Sequence, residues 1–295
     1  MLRKVVEVLI LSFTRSLIVQ VSNRCPCYCP GCYSYFSDKE AETELVINFI
    51  KEFQKQFGIK KVTISGGDPL MRNDITKLLK KLNEIEIEVS IDTVGITLLN
   101  KIVDSELINE LKKIKEIGIP LDGITDETIQ LFRHGITFDD SIKVVKLLSE
   151  YGVNICINTV VHDKNVHELS SIGEVINKES AIKKWQLFQY MPIGPRGLDF
   201  ADFFCISEEK FESFSAKVKT NGYRSSLVIQ NKSLSSRKNK YLLVQTDGAI
   251  WYPLQSQDSA WIPEFDRNND RIVLGKISDV DIIQKIKRGL FYEKV

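Results

Sequence analysis

Four of the chain's six cysteines fall within eight residues, in the run Ser22-Asn23-Arg24-Cys25-Pro26-Cys27-Tyr28-Cys29-Pro30-Gly31-Cys32-Tyr33. Cys25, Cys29 and Cys32 have the spacing Cys-x3-Cys-x2-Cys. Three thiolates on one loop can hold three irons of a 4Fe–4S cube. The fourth iron is then left open for a substrate or cofactor, and soft sulfur donors suit such a cluster. Two other readings stay open on spacing alone. One is a zinc site built from all four thiols, although zinc knuckles usually pair two Cys-x2-4-Cys units across a longer segment. The other is a disulfide, for which alternate cysteines in one short run have poor geometry. Cys27 fits no register with the right first spacing and is read as a non-ligand.

The rest of the chain alternates. Ser16–Val21 is short, β-branched and apolar, which suits a buried strand entering the cysteine loop. Thr43–Phe57 places Leu45, Val46, Phe49, Ile50, Phe53 and Phe57 at helical spacing. Lys61–Ser65 is a second strand, ending in Gly66-Gly67-Asp68-Pro69. Asn73 caps a helix through Leu78, Leu79 and Leu82. Glu86–Asp92 is a third strand, Leu98–Ile117 a helix, and Pro120-Leu121-Asp122-Gly123 closes a short fourth strand. Phe138–Tyr151 is a helix ended by Gly152, Val153–Val161 a fifth strand, Val166–Asn177 a helix and Lys184–Tyr190 a sixth strand. Strands alternating with helices predict parallel βαβ units of one hand.

The expected fold is therefore α/β, a partial (βα)6 TIM-like barrel over residues 14–200. A small C-terminal α+β extension over 201–295 would cover its opening. Within it, Glu208–Lys219 reads as a helix and Gln230–Lys240 as a polar, basic loop. Strands Lys240–Gln245 and Ala249–Tyr252 flank Thr246-Asp247-Gly248 as a hairpin, Gln255–Asn269 is irregular, and Ser278–Arg288 is a last helix. The first residues, Val5–Phe13, read as a strand or helix under the fold. Glu7 interrupts that run and no cleavage site follows, so it is not a signal peptide. In such barrels the chemistry sits at the carboxyl ends of the strands.

The cysteine triad, followed one βα unit later by Gly66-Gly67-Asp68-Pro69, resembles the radical S-adenosylmethionine (radical SAM) superfamily. The likeness runs in motif order over roughly residues 16–200. Viperin-like enzymes (Trp185-Gln186-Leu187-Phe188-Gln189) and molybdopterin-precursor cyclases (Met191-Pro192-Ile193-Gly194) share short runs with it. In that family the open iron chelates the amino and carboxylate groups of SAM. The resemblance implies Cys25, Cys29 and Cys32 as iron ligands. It implies cofactor contacts at Gly66, Gly67, Asp68, Pro69, Thr93, Asp122, Arg133, Asn158 and Gln189, with Arg133 facing the SAM carboxylate and Asn158 and Thr159 the ribose. It also implies a reductant protein such as flavodoxin or ferredoxin.

Three departures stand out. Asp68 replaces the family's Glu, Val94 its Asn, and Gly31 stands where an aromatic residue usually precedes the third cysteine. Leu254 stands where peptide-modifying relatives carry a cysteine for an auxiliary cluster, so a single cluster is expected. Cys205 is a candidate hydrogen-atom donor, with a buried structural thiol as its alternative. His134, His162 and His167 share no ligand spacing and read as surface residues.

A net charge of +1 gives no signal for nucleic acid or a membrane surface. No apolar run approaches the ~20 residues of a membrane span. An exposed thiolate cluster needs a reducing compartment, hence the cytoplasm. The substrate is expected to be a nucleotide or other small phosphorylated molecule, with Gln230–Lys240 lining its anion site. A peptide to be epimerised or cross-linked is the alternative. A zinc-stabilised binding module without redox activity is the reading from another class.

Overall fold

The computed structural model describes residues 16–99, 104–237, 241–253 and 271–289. The regions expected as a first element (Val5–Phe13) and as an irregular segment (Gln255–Asn269) lie outside the described residues, as does Leu254.

Ten strands form one sheet in the order β10-β9-β8-β1-β2-β3-β4-β5-β6-β7. The first six are β1 (Ser16–Gln20), β2 (Lys61–Ser65), β3 (Glu88–Asp92), β4 (Glu116–Pro120), β5 (Ile155–Val161) and β6 (Ile182–Gln189). All are parallel to their neighbours. Helices α1 (Thr43–Phe57), α2 (Ile75–Asn83), α3 (Ser105–Lys113), α4 (Asp126–Phe132), α5 (Phe138–Glu150) and α6 (Leu169–Lys178) lie in the connections. This is the partial (βα)6 TIM-like barrel.

The local sequence explains these elements. In α1 the buried residues Val46, Phe49, Ile50, Phe53 and Phe57 form one stripe, and Gly58 ends the helix at φ 64°. Thr137 and Asp140 close a capping box at the start of α5. β4 is buried at every position from Glu116 to Pro120 and β5 at Ile155, Cys156 and Ile157, so both faces are covered there, as parallel strands between helices require, whereas β2 alternates buried Val62 and Ile64 with half-buried Lys61 and Thr63.

The structure corrects three local expectations. The helix read over Leu98–Ile117 is instead a 3-10 turn at Ile96–Leu98, then α3, then β4. Leu107, Leu111, Ile114 and Ile117 keep helical spacing across the junction, which hides it. Glu116 marks the strand, because it is buried and pairs with Lys61 of β2 and Lys184 of β6. Second, α2 begins after Asp74 rather than at Asn73, and Asp74 is held by Thr43 and Arg72. Third, Gln230–Lys240 is not wholly a loop. Its first residues belong to β7 (Val228–Lys232), parallel to β6, and a short helix α10 (Leu234–Arg237) follows. An edge strand can be polar because one side meets water.

Residues after 200 add helix α9 (Glu208–Thr220) and extend the barrel sheet at both edges. β7 adds beyond β6, and β8 (Tyr241–Val244) adds parallel to β1. The expected hairpin is present as β8 and β9 (Ala249–Pro253), with Gly248 at φ 87°. β10 (Arg271–Lys276) pairs antiparallel with β9, and a last helix α11 spans Ile282–Gly289. No helix among the described residues is long and apolar enough to cross a membrane.

Trp185 of β6 is fully buried, and its indole N–H donates to Thr159 Oγ1 of β5 at 2.8 Å. Trp185→Ala is expected to cost about 3–5 kcal/mol in denaturant unfolding. Trp185→Phe, which loses chiefly the hydrogen bond and part of the volume, should cost roughly half of that or less.

Candidate active site

The carboxyl ends of β1 to β6 converge on one cavity. Its wall includes Cys25, Cys27, Cys29 and Cys32, then Gly66 and Gly67 after β2, and Asp92, Thr93 and Val94 after β3. Gly118 and Pro120 of β4, Asn158 and Val160 of β5, and Phe188, Gln189 and Tyr190 at the end of β6 complete it.

The cysteine loop is docked on the Gly66-Gly67 turn by main-chain bonds. Gly67 N–H donates to Ser22 O and Asp68 N–H to Arg24 O, both at 2.7 Å. A Cβ on Gly66 would stand 2.7 Å from Ser22 O, and one on Gly67 2.4 Å from Arg24 O. Both glycines are therefore required by close approach. Gly31 has a similar cause, since its Cβ would meet the rings of Phe132 at 2.3 Å and Tyr190 at 2.9 Å. Aromatic surface expected from the loop itself arrives here from α4 and β6.

The donor set fits a thiolate-bound cluster. Cys25, Cys29 and Cys32 share the cavity wall, and the N–H groups of Cys27 and Ser34 approach the sulfurs of Cys25 and Cys32 at 3.4 and 3.5 Å. Such donors are usual around ligand sulfurs. The Cys25 thiol lies below its ordinary pKa, chiefly through a hydrogen bond from Cys27. Burial pushes Cys29 up to about 12. Among the described residues no three His, Cys, Asp or Glu side chains gather as a site for one ion.

Two buried carboxylates hold the loops and stay off the cavity wall. Asp68 accepts from Thr93 Oγ1 at 2.6 Å, Leu70 N–H at 2.9 Å and Val94 N–H at 3.1 Å. Asp122 pairs with Arg133 and accepts from Val160 N–H at 2.7 Å. Burial raises the pKa of both. Asp68, Pro69 and Asp122, expected from the resemblance as cofactor contacts, act from behind the wall. The Asp68 side chain fixes the turn after β3.

The remaining expected residues divide as well. Arg133 lines the cavity, and only its Nε is taken by Asp122 among the described residues. Thr93 lines it with its hydroxyl turned to Asp68 and to Gly95 N–H. The Gln189 amide is spent on Ile206 O and Leu234 N–H. Thr159 is buried, bonded to Leu121 O and Trp185. Cys205 is not on the wall. It follows helix α8 (Ala201–Phe204) and packs with Phe132, Tyr190 and Phe204, where burial pushes its thiol up to about 11. His162, expected at the surface, is completely buried beside Phe132 and Phe204 and is held neutral, pushed down to about 3 by burial.

Two charged residues on the wall, Asp92 and Arg196, were not singled out from the sequence, and a third, Arg237, falls in the Gln230–Lys240 segment expected to line an anion site. Asp92 is exposed at the cavity, and the protein packed around it pushes its carboxyl up to about 6. Its Oδ1 accepts from Asn158 at 2.8 Å, across Gly118 of the intervening strand. A Cβ at Gly118 would lie 2.3 Å from both partners. Arg196, of helix α7 (Gly194–Asp199), lies 4.0 Å over the Tyr28 ring and 5.2 Å from that of Phe36. Arg237 reaches the wall from α10. The only available signals were a strand-end carboxylate and an arginine just after Met191-Pro192-Ile193-Gly194.

Fold and site together define an α/β partial-barrel enzyme built around a three-thiolate loop. The model of the radical SAM superfamily matches residues 19–174, more than half of the chain. The chain belongs to that superfamily, whose members use a 4Fe–4S cluster and SAM. It is 22% identical over 240 residues to an S-adenosylmethionine-dependent nucleotide dehydratase of Flammeovirga pacifica, covering 77% of this chain and 78% of that one. It is 25% identical over 235 residues to a GTP 3',8-cyclase of Clostridium botulinum, covering 76% and 71%. Streptococcus suis SuiB bound to S-adenosylmethionine shares the fold, with a TM-score of 0.63 and 17% identity, over 81% of this chain and 60% of SuiB.

Asp92 has a pKa in the folded protein above its unfolded value of about 3.9. The unfolded chain therefore ionises first, and this residue's contribution to stability falls as pH rises from about 4 to 6. Asp92→Asn should lose that component. Its melting temperature relative to the parent should rise between pH 4.5 and pH 7, as thermal scans at several pH values would show.

Proposed function

We propose that this radical SAM enzyme abstracts a hydrogen atom from a nucleotide or another small anionic molecule. The observation that carries the reading is the charge of the cavity wall. Asp122 neutralises Arg133, whereas Arg196 and Arg237 have no carboxylate partner among the described residues. Guanidinium groups facing a cavity favour an anion, and phosphate most of all. The similarity to a nucleotide dehydratase and to GTP cyclases supports the same substrate class.

Once bound, the reduced cluster and SAM supply a 5′-deoxyadenosyl radical by one-electron cleavage of the sulfonium C–S bond. This chain's residues prepare the place. Cys25, Cys29 and Cys32 would hold three irons, and the free N–H groups of Arg133 would meet the SAM carboxylate. Gly66 and Gly67 let main chain approach the cofactor. Phe132, Phe188 and Tyr190 keep apolar surface at the wall and help to exclude water. Arg196 and Arg237 would hold the substrate's anionic end. A soluble donor such as flavodoxin or ferredoxin would deliver the electron in a reducing cytoplasm.

A peptide substrate is the second reading. The fold is shared with SuiB bound to the precursor peptide SuiA, at a TM-score of 0.62. The outer edge of β7 ends the sheet beside β6, where an extended peptide would add as a strand.

Incubation with SAM and dithionite should yield 5′-deoxyadenosine, faster when a nucleotide substrate is present. Nucleoside triphosphates should raise the melting temperature, and the unphosphorylated nucleosides should not. Arg196→Ala or Arg237→Ala should weaken nucleotide binding about tenfold or more each, the loss of one charge-assisted contact. Stimulation by a precursor peptide alone, with no response to any nucleotide, would favour the second reading.

A further inference from the structure

Asp92 lines the cavity at the end of β3 and is exposed there. Side chains from the facing strands fix its orientation. Gln186 of β6 donates from Nε2 to Asn158 Oδ1 of β5 at 3.3 Å and to Cys156 Sγ at 3.2 Å. With Oδ1 occupied in this way, the Asn158 amide turns Nδ2 to Asp92 Oδ1, at 2.8 Å. The bond crosses β4 at Gly118, where any Cβ would stand 2.3 Å from both partners. One carboxylate oxygen is thereby used by the protein. The other, Oδ2, has no partner among the described residues.

The neighbouring charges are engaged elsewhere. Glu116 of β4 holds Lys61 at 3.6 Å and also pairs with Lys184, and Arg133 pairs with Asp122. Asp92 thus presents to the cavity an acceptor that is held in place before any ligand arrives. A site built around such an acceptor disfavours a ligand that brings no donor to it. The arginines stand some way off. Arg237 donates to Gln189 O at the end of β6, and Arg196 follows β6 on α7. β3 and β6 are three places apart in the sheet order, roughly 14 Å along the sheet at the usual strand spacing.

We infer that Asp92 is a specificity-determining residue that accepts a hydrogen bond from an O–H or N–H group of the substrate, remote from the substrate's anionic end. The inference rests on the reading of an anionic substrate and adds to it the chemistry of the other end. A nucleotide carries both parts, phosphates at one end and sugar hydroxyls or base N–H groups at the other. Inorganic triphosphate carries only the first.

The test uses the full chain reconstituted anaerobically with iron and sulfide and kept oxidised, so that SAM stays intact, as parent, Asp92→Asn and Arg196→Ala. Calorimetry measures the dissociation constant of SAM and then, with SAM present, those of ATP, GTP, CTP, UTP and inorganic triphosphate. For the nucleotide that the parent binds most tightly, Asp92→Asn should weaken binding about tenfold or more, because an uncharged amide replaces a charged acceptor. The same variant should bind SAM and inorganic triphosphate as the parent does, whereas Arg196→Ala should weaken both the nucleotide and inorganic triphosphate. Equal nucleotide affinity in Asp92→Asn and the parent would overturn the inference. So would a weakened affinity for SAM, which would assign Asp92 to the cofactor. An equal loss for the nucleotide and for inorganic triphosphate would overturn it too, by reducing Asp92 to a support for the arginine end. A parent that binds none of the four nucleotides would instead overturn the nucleotide reading itself, and the inference with it.

Discussion

The site depends on the docking of the cysteine loop against the turn after β2. Two main-chain hydrogen bonds, from Gly67 and Asp68 to Ser22 and Arg24, hold the loop at a distance that no side chain on either glycine permits. Three thiolates can serve three corners of one cube only if the segment carrying them has a fixed floor. The Asp68 carboxylate extends the same contact to the turn after β3, through Thr93 and Val94. Asp122 performs the equivalent task further round, joining Arg133 after α4 to the main chain of β5. Burying these carboxylates costs solvation, and their hydrogen bonds to neighbouring loops offset that cost. The result is a ring of strand ends tied to one another from behind the cavity wall.

Much of this was legible in the sequence where local chemistry and global position coincide. The cysteine triad, the paired glycines and the alternation of apolar strands with amphipathic helices each depend on few residues close in sequence. The start of the strand Glu116–Pro120 was hidden, because its isoleucines continue the helical spacing of Leu107 and Leu111. Its burial is set by partners on β2 and β6 that lie far along the chain. β7 was hidden for the opposite reason, since an edge strand carries no apolar alternation. Asp68 and Asp122 were visible as motif residues. Whether such a residue offers its side chain to a ligand or to a neighbouring loop is decided by tertiary contacts. Asp92 and Gly118 form one device, a carboxylate reaching an amide over a strand that has no side chain there. Only the sheet order brings them together.

The cavity wall is divided along the chain. The superfamily match ends at residue 174, and it takes in the cysteines, the glycine turn, Asp92, Arg133 and Asn158. The wall contributed by Phe188, Arg196, Arg237 and Leu243 comes from beyond that point. On the proposed reading the shared half would hold the cofactors, and the later residues, joined by Asp92, would meet the substrate. Arg196 bridges the two halves, because its guanidinium stacks on Tyr28 of the cysteine loop. An anion bound there would sit within one side chain's reach of the cluster ligands.

Low-temperature electron paramagnetic resonance of the anaerobically reconstituted and reduced protein, recorded before and after SAM is added, examines the vacant corner most directly. A trio of thiolates with one open iron predicts the spectrum of a single reduced 4Fe–4S cluster whose g-values move when SAM binds. Its intensity should vanish when Cys25, Cys29 or Cys32 is replaced by Ala. A spectrum indifferent to SAM, or a colourless protein holding one zinc per chain, would contradict the account.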